Sequence, residues 1–264
     1  MARARLKWAA KRVLINLRLH GDVGYVLRRY VRRTVEPTTA MVALYSRFIR
    51  PKDLCFDIGA NIGNRTRAML ECGGKVVAVE PQPRCVRILN DNYSQWLTRF
   101  WSRETDFVCV SKVAGPKAGT ATLYVSDLDV LSSLKPEWIG NIIPGRSWRS
   151  CITVEMVTLD NLIAEFGVPR FCKIDVEGSE LDVLRGLSQP IPCISFEYHS
   201  NMVEECAKVL EYLVGLGTYR FNLSSLDTGV LTLGQWIDQD GFRRYLETVL
   251  PRQSDYGDVY AVAS

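Results

Sequence analysis

The sequence predicts an α/β fold, an open and mostly parallel sheet with helices on its faces. Three observations carry that prediction. From Asp53 onward, short apolar runs alternate with segments of helical period, the pattern of strand–crossover–strand units. The first run ends in a glycine turn, Asp57-Ile-Gly-Ala-Asn-Ile-Gly63, of the kind that closes a first parallel strand and opens a helix. The next run, residues 75–80, follows after one helix length and closes on Glu80.

The elements follow in order. Residues 5–19 fit an amphipathic helix, with Leu6, Ala10, Val13, Leu14 and Leu17 at helical spacing and Lys7, Lys11 and Arg18 away from them. Gly21 ends it, residues 23–33 form a second basic helix, and residues 39–49 a third that leads into the main domain. Residues 1–50 are therefore expected to be a basic helical extension and 51–264 the main domain. Strands are predicted at 53–57, 75–80, 107–111, 170–176, 192–198, 218–223 and 258–262, with helices at 64–72, 83–96, 179–187 and 203–216. Residues 120–125 and 152–157 alternate as an added antiparallel pair. Thr158 caps a helix with Asp160 in its first turn. A long insertion, 224–257, holds a further helix at 242–249 that Pro251 stops.

The glycine turn lets a ligand approach backbone amides with no Cβ in the way, and an acid closing the second strand suits a ribose diol. A dinucleotide fold requires G-x-G-x-x-G, with a pyrophosphate on the helix amino terminus. Here the spacing is G-x-N-x-G, and Asp57 would repel a pyrophosphate but accept from an amino group. S-adenosylmethionine offers that ammonium, a carboxylate for turn amides and a ribose for Glu80. The expected cofactor contacts are Asp57, Gly59, Ala60, Asn61, Gly63, Asn64, Glu80 and Pro81. The plainer alternative is a strand–turn–helix junction with no ligand.

At 264 residues and 47% hydrophobic content the chain supports one sizeable core. No apolar run approaches the roughly 20 residues of a membrane span, and Lys11, Arg12 and Arg18 interrupt any signal-peptide segment. The eight cysteines include no C-x-x-C pair. Cys55, Cys109, Cys172 and Cys193 fall inside predicted strands, where a thiol acts as a small hydrophobe, so all eight are expected reduced and the location cytoplasmic. Up to Val35 there are ten Lys or Arg and one acid, a balance of +9, which leaves 4 − 9 = −5 for the remainder. A basic arm on a mildly acidic body is expected either to cap the body or to touch an anionic membrane surface peripherally. No basic groove interleaved with aromatics follows, so nucleic acid is not an expected partner. The oligomeric state is not legible.

From residue 53 to the end the chain resembles the FkbM family of S-adenosylmethionine-dependent methyltransferases. The resemblance rests on DIGANIG (57–63), AVEP (78–81), GTATLYV (119–125), SSL (132–134), VTLDNL (157–162), KIDVEG (173–178) and GDVYAV (257–262), in that order. It implies a class I methyltransferase (Rossmann-like) seven-stranded mostly parallel sheet with a reversed last strand, and methyl transfer mostly to hydroxyl oxygens. Implied acceptors are saccharides, glycolipids or related natural products. The segment after the third strand, Ser111 to Gly115, is the implied adenine contact, with Ser111 foremost.

Reacting groups in such a sheet gather outside the carboxyl ends of the strands. Asp175 and Glu177 end the fourth core strand, Glu197 and His199 the fifth, so these are expected to flank the transferred methyl. Imidazole, with an unperturbed pKa of about 6.5, suits a proton acceptor at His199, the alternative being a histidine satisfied by a backbone partner. Asp175 is expected to orient the acceptor hydroxyl or act as base, or else to tie down the Gly178 turn. Glu177 is a further catalytic candidate that could equally serve the next helix's amino terminus, and Glu180 reads as a solvated acid. A divalent metal on Asp175, Glu197 and His199 is the rival explanation and is not favoured. The acceptor pocket is expected from the two insertions, with Ser133, Trp138, Arg146 and Trp148 joined by Glu197. A nucleotide-dependent oxidoreductase and a catalytically silent scaffold at a membrane surface are the alternative functions.

Overall fold

The computed structural model describes residues 39–94, 106–126, 132–136, 148–226, 228–249 and 256–264. The two predicted helices before residue 34 lie outside them, as do Trp138 and Arg146. Residues 37–264 form one compact unit. Its main sheet has seven strands in the order β10-β11-β9-β8-β1-β2-β3, built from β1 (Leu54–Ile58), β2 (Lys75–Val79), β3 (Phe107–Val110), β8 (Phe171–Ile174), β9 (Cys193–His199), β10 (Tyr219–Ser225) and β11 (Tyr256–Ala263). β11 is antiparallel to both β9 and β10, while the other pairings are parallel. This is the class I methyltransferase sheet with its reversed last strand.

The expected antiparallel pair is real and belongs to a second sheet, β4-β7-β5-β6. It comprises β4 (Val113–Ala114), β5 (Gly119–Ser126), β6 (Ser132–Ser133) and β7 (Trp148–Val157). The helices are α1 (Thr39–Tyr45), α2 (Asn64–Glu71), α3 (Pro83–Leu89), α4 (Leu159–Phe166), α5 (Glu180–Leu184), α6 (Val203–Leu216) and α7 (Gln239–Thr248). Thr158 caps α4 as predicted: its hydroxyl accepts from Asn161 N at 3.0 Å, and Asn161 Oδ1 accepts from Thr158 N. After Leu89 the helix loosens into a π-turn, Asn90–Ser94. It brings the Tyr93 hydroxyl to donate to Gly63 O at 2.7 Å.

Strand alternation divides the core. Phe56, Ile58, Cys172, Ile174, Ile194, Phe196, Val259 and Ala261 face one apolar cluster that takes in α4, α5, α6 and α7. On the other face Cys55, Phe171, Cys193 and Tyr260 pack against Leu44, Tyr45, Phe48 and Ile49. Helix α1, assigned from sequence to the N-terminal extension, thus contributes to this core. Along the second face the chemistry changes towards the strands' carboxyl ends. Asp57, Lys173 and Ser195 stand in one register row. One pleat further on, Glu197 faces Asp258. That polar end positions the site.

Among the described residues no helix is long and apolar enough to cross a membrane. All eight cysteines are free thiols. Burial raises the thiol pKa of Cys55, Cys172, Cys193 and Cys206, which keeps them protonated and unreactive.

Candidate active site

The first half of the site lies at the ends of β1 and β2. Asp57 is 0% exposed; its Oδ2 accepts from the Thr66 hydroxyl of α2 at 2.5 Å. Its Oδ1 is buried with no hydrogen-bond partner, and desolvation raises the carboxyl to about 6. An orphaned buried acceptor calls for a donor. Glu80, 6% exposed, accepts from Asn61 N and Gln82 N, each at 2.8 Å on a different oxygen. Burial raises its pKa to about 7 against the pull of those two amides. Each oxygen keeps a lone pair that a ribose hydroxyl fits. The amides of Gly59 and Ala60 donate to Val79 O, and Asn61 sits in the left-handed region at φ 50°. What the turn leaves for a ligand carboxylate is the first turn of α2, whose N-cap is Gly63 and has no side-chain cap.

The glycines therefore serve a purpose that differs from the expected one. A Cβ on Gly59 (φ +81°) would lie 1.8 Å from Asp175 O, and one on Gly63 (φ +91°) 2.5 Å from the Tyr93 ring. Both glycines admit neighbouring protein backbone and side chain. Asn64 is exposed at the start of α2, and Pro81 is half-buried beyond Glu80. Ser111 is exposed in the turn after β3, where Val110 O accepts from both Glu80 N and Lys112 N. With an orphan acceptor, a double-acceptor carboxylate and an uncapped helix start, the residues present fit S-adenosylmethionine.

The second half lies at the ends of β8 and β9. Lys173, 0% exposed, has its Nζ 3.1 Å from Asp175 Oδ2 and 3.0 Å from Asp258 Oδ1, and donates to Ile174 O at 3.1 Å. Burial opposes its charge, but the two aspartates outweigh that and its pKa is raised. Asp258 also meets Arg65 of α2 at 3.5 Å. Carboxylate oxygens of Asp175, Glu177 and Glu197 fall within 4.8 Å of one another. Burial and then the neighbouring acids hold Glu177 and Glu197 well above the usual carboxylate range. His199 Nε2 stands 3.3 Å from Glu197 Oε2. Burial lowers the imidazole's pKa, yet Glu197 beside it carries the net shift upward. Glu177 and Glu197 thus retain protons at pH values where exposed carboxylates have lost theirs.

The turn that carries these groups is built by residues given other roles from sequence. The Ser133 hydroxyl donates to Glu177 O at 2.8 Å, and Lys135 Nζ to Gly178 O at 2.6 Å. Glu180 Oε1 accepts from Val176 N and Gly178 N. Ser133 is thus a brace, and Glu180 is a turn-forming acid instead of a solvated one. Glu177, at φ 56°, is held in a strained conformation by these contacts. Trp148 donates its indole N–H to Pro136 O and packs on Tyr124, 5.9 Å between ring centroids, so its contacts lie within the small sheet. For a hard cation the spacing favours Asp175, Glu177 and Glu197, with Glu177 where the sequence suggested His199. Sequence reasoning missed Lys173, Asp258, Arg65 and Gln82. The first two stood inside quoted motifs, and a lysine or aspartate in the middle of an apolar strand was the available signal.

A family model described as the methyltransferase FkbM domain matches residues 57–222. No curated protein matches the chain significantly. Among solved structures, methyltransferase FkbM from Methylobacillus flagellatus is similar, with a TM-score of 0.52 at 15% identity over 87% of this chain. The alignment spans 49% of that protein, so the present chain covers about half its length. Precorrin-6y C5,15-methyltransferase from Geobacter metallireducens aligns with a TM-score of 0.46 at 12% identity, over 85% of this chain and 87% of that one. The family match extends from the glycine turn of Asp57 through β8 and β9 into β10, and on it the chain belongs to the FkbM methyltransferase family.

Proposed function

We propose that the protein is an S-adenosylmethionine-dependent O-methyltransferase acting on a hydroxyl of a saccharide, glycolipid or related natural-product acceptor. The observation that carries the reading is the pairing, on one sheet end, of the Asp57–Glu80 cradle with the acidic cluster Asp175, Glu177 and Glu197 and its neighbour His199. When bound, the cofactor supplies an electrophilic methyl group beside its positive sulfur. Asp57 receives the amino group, Glu80 the ribose hydroxyls and the first turn of α2 the carboxylate. The acceptor oxygen then has to lie in line with the methyl and give up its proton. Asp175, clamped by Lys173, orients the hydroxyl, and the Glu197–His199 pair takes the proton.

Titration calorimetry with S-adenosylhomocysteine and with NAD tests the cofactor. Micromolar affinity for the first alone is expected, and affinity for NAD alone would replace the reading with a nucleotide-dependent oxidoreductase. Cell extract incubated with the protein and isotopically labelled methyl donor, followed by mass spectrometry, tests the transfer. Label is expected on oxygen of a hydroxylated metabolite.

A further inference from the structure

The sheet end that carries the acids finishes in an exposed aromatic. Strand register sets Asp258 opposite Glu197 and, two residues outward, Tyr256 opposite His199. Residues two apart on a strand share a face, so all four stand on the face that holds Asp57 and Lys173 further in. Exposure rises along it. Asp57 and Lys173 are fully buried, Glu197 and His199 half-buried, and Tyr256 is 45% exposed. The Tyr256 ring lies beside the imidazole, with 6.3 Å between centroids and a tilt of 32°. Leu226, 53% exposed, is fixed next to it by its amide, which donates to Tyr256 O at 2.8 Å. In sequence these two residues bound the 224–257 insertion from either side, and the fold brings them together beside His199. Single exposed apolar side chains are ordinary. Here an aromatic and a leucine adjoin at the outer edge of the reacting groups.

An acceptor whose hydroxyl reaches Glu197 and His199 from solvent has to pass Tyr256. A phenol ring offers a flat apolar face, while the carboxylates behind it call for hydroxyl donors. A saturated ring with C–H bonds on one face and hydroxyls around its rim meets both demands. We infer that Tyr256 is the platform on which the acceptor lies, C–H face down on the phenol ring, with one rim hydroxyl directed at the Glu197–His199 pair and Leu226 extending the surface. The inference rests on the function proposed above and adds the residue that orients its acceptor.

The test measures transfer from isotopically labelled methyl donor over a dilution series of one cell extract. Tyr256→Ala should raise the half-saturating extract concentration about tenfold, as loss of an aromatic contact does. Tyr256→Leu restores apolar bulk without a flat face and should do the same. Tyr256→Phe and Tyr256→Trp keep the face and should stay within about threefold of the wild type. Val168→Ala removes a comparably exposed apolar side chain just ahead of β8, at the other end of the sheet, and should change nothing. Calorimetric affinity for S-adenosylhomocysteine should be held in every variant, which also shows that each is folded. Rescue by leucine, a phenylalanine variant as weak as alanine, or an alanine variant that saturates like the wild type would overturn the platform. So would label on an acyclic alcohol, or no transfer by a wild-type protein that binds S-adenosylhomocysteine. Where the alanine variant fails to fold, the comparison of leucine with phenylalanine decides. Absence of S-adenosylhomocysteine binding by the wild type would instead count against the methyltransferase reading.

Discussion

The two halves of the site handle buried acids in opposite ways. At the ends of β1 and β2, Asp57 and Glu80 are served by neutral donors, a hydroxyl and two backbone amides. At the ends of β8 and β9, Asp175, Glu177 and Glu197 crowd one another, while the fully buried cation Lys173 pairs with Asp175 and with Asp258. Neutral donors hold each carboxylate in one geometry and leave its remaining lone pairs to a ligand, which suits a cofactor that is always the same. Crowded like charges make protonation responsive to small changes, which suits a step that moves a proton. Gly59 is the joint between the two halves, its Cα seated on the carbonyl of Asp175.

The largest effect should come from that joint. Gly59→Ala places a Cβ 1.8 Å from Asp175 O at a φ of +81°, and a loss of at least ~4 kcal/mol is expected in denaturant unfolding. Near-normal stability would mean the halves are less tightly joined than the contact implies. Next comes the shared cation. Lys173→Met strands two carboxylates and should cost about 3–5 kcal/mol. Lys173→Met combined with Asp258→Asn should lose less than the two changes summed, and strict additivity would disprove the coupling.

His199→Gln should lower turnover by about 10²–10⁴-fold, with S-adenosylhomocysteine affinity held within twofold. Wild-type turnover would remove imidazole from the proton step. Glu80→Gln is expected to weaken S-adenosylhomocysteine about tenfold by calorimetry. Because the free protein holds Glu80 at about 7 and ribose hydroxyls donate to its ionised form, wild-type affinity should climb as pH rises through that value. The variant should lack this dependence. The same shift acts on stability with the opposite sense. The folded-state pKa lies above the ordinary 4.5, so protonated Glu80 favours folding, an advantage full at low pH and lost as pH rises through about 7. The smallest effect should be that of chelation, which is expected to leave turnover unchanged. Loss restored by Mg²⁺ or Mn²⁺ would assign Asp175, Glu177 and Glu197 to a metal.

The same contrast explains what could be read from the chain. The positions of the strands were legible from the apolar runs, and the reversed β11 from the family resemblance; α6 falls at the predicted 203–216. The placement of Asp57 and Glu80 was legible too, since each falls at the carboxyl end of a strand. The reason for Gly59 and Gly63 was not, because a glycine that admits a ligand and one that admits a neighbouring turn look alike in one dimension. Lys173 was passed over because one charge among Phe171, Cys172 and Ile174 resembles an exposed strand position, and its partner Asp258 lies far away in sequence. Ser133 and Glu180 were misassigned because a bracing hydrogen bond to a backbone atom leaves no side-chain pattern.

Asp258 sits on β11, the strand that follows the others of its sheet in chain order yet inserts between β9 and β10. During synthesis, Lys173 and Arg65 leave the ribosome long before the residue that joins them. The ion-pair chain from Arg65 through Asp258 to Lys173 is thus completed by the strand of this sheet that is made last.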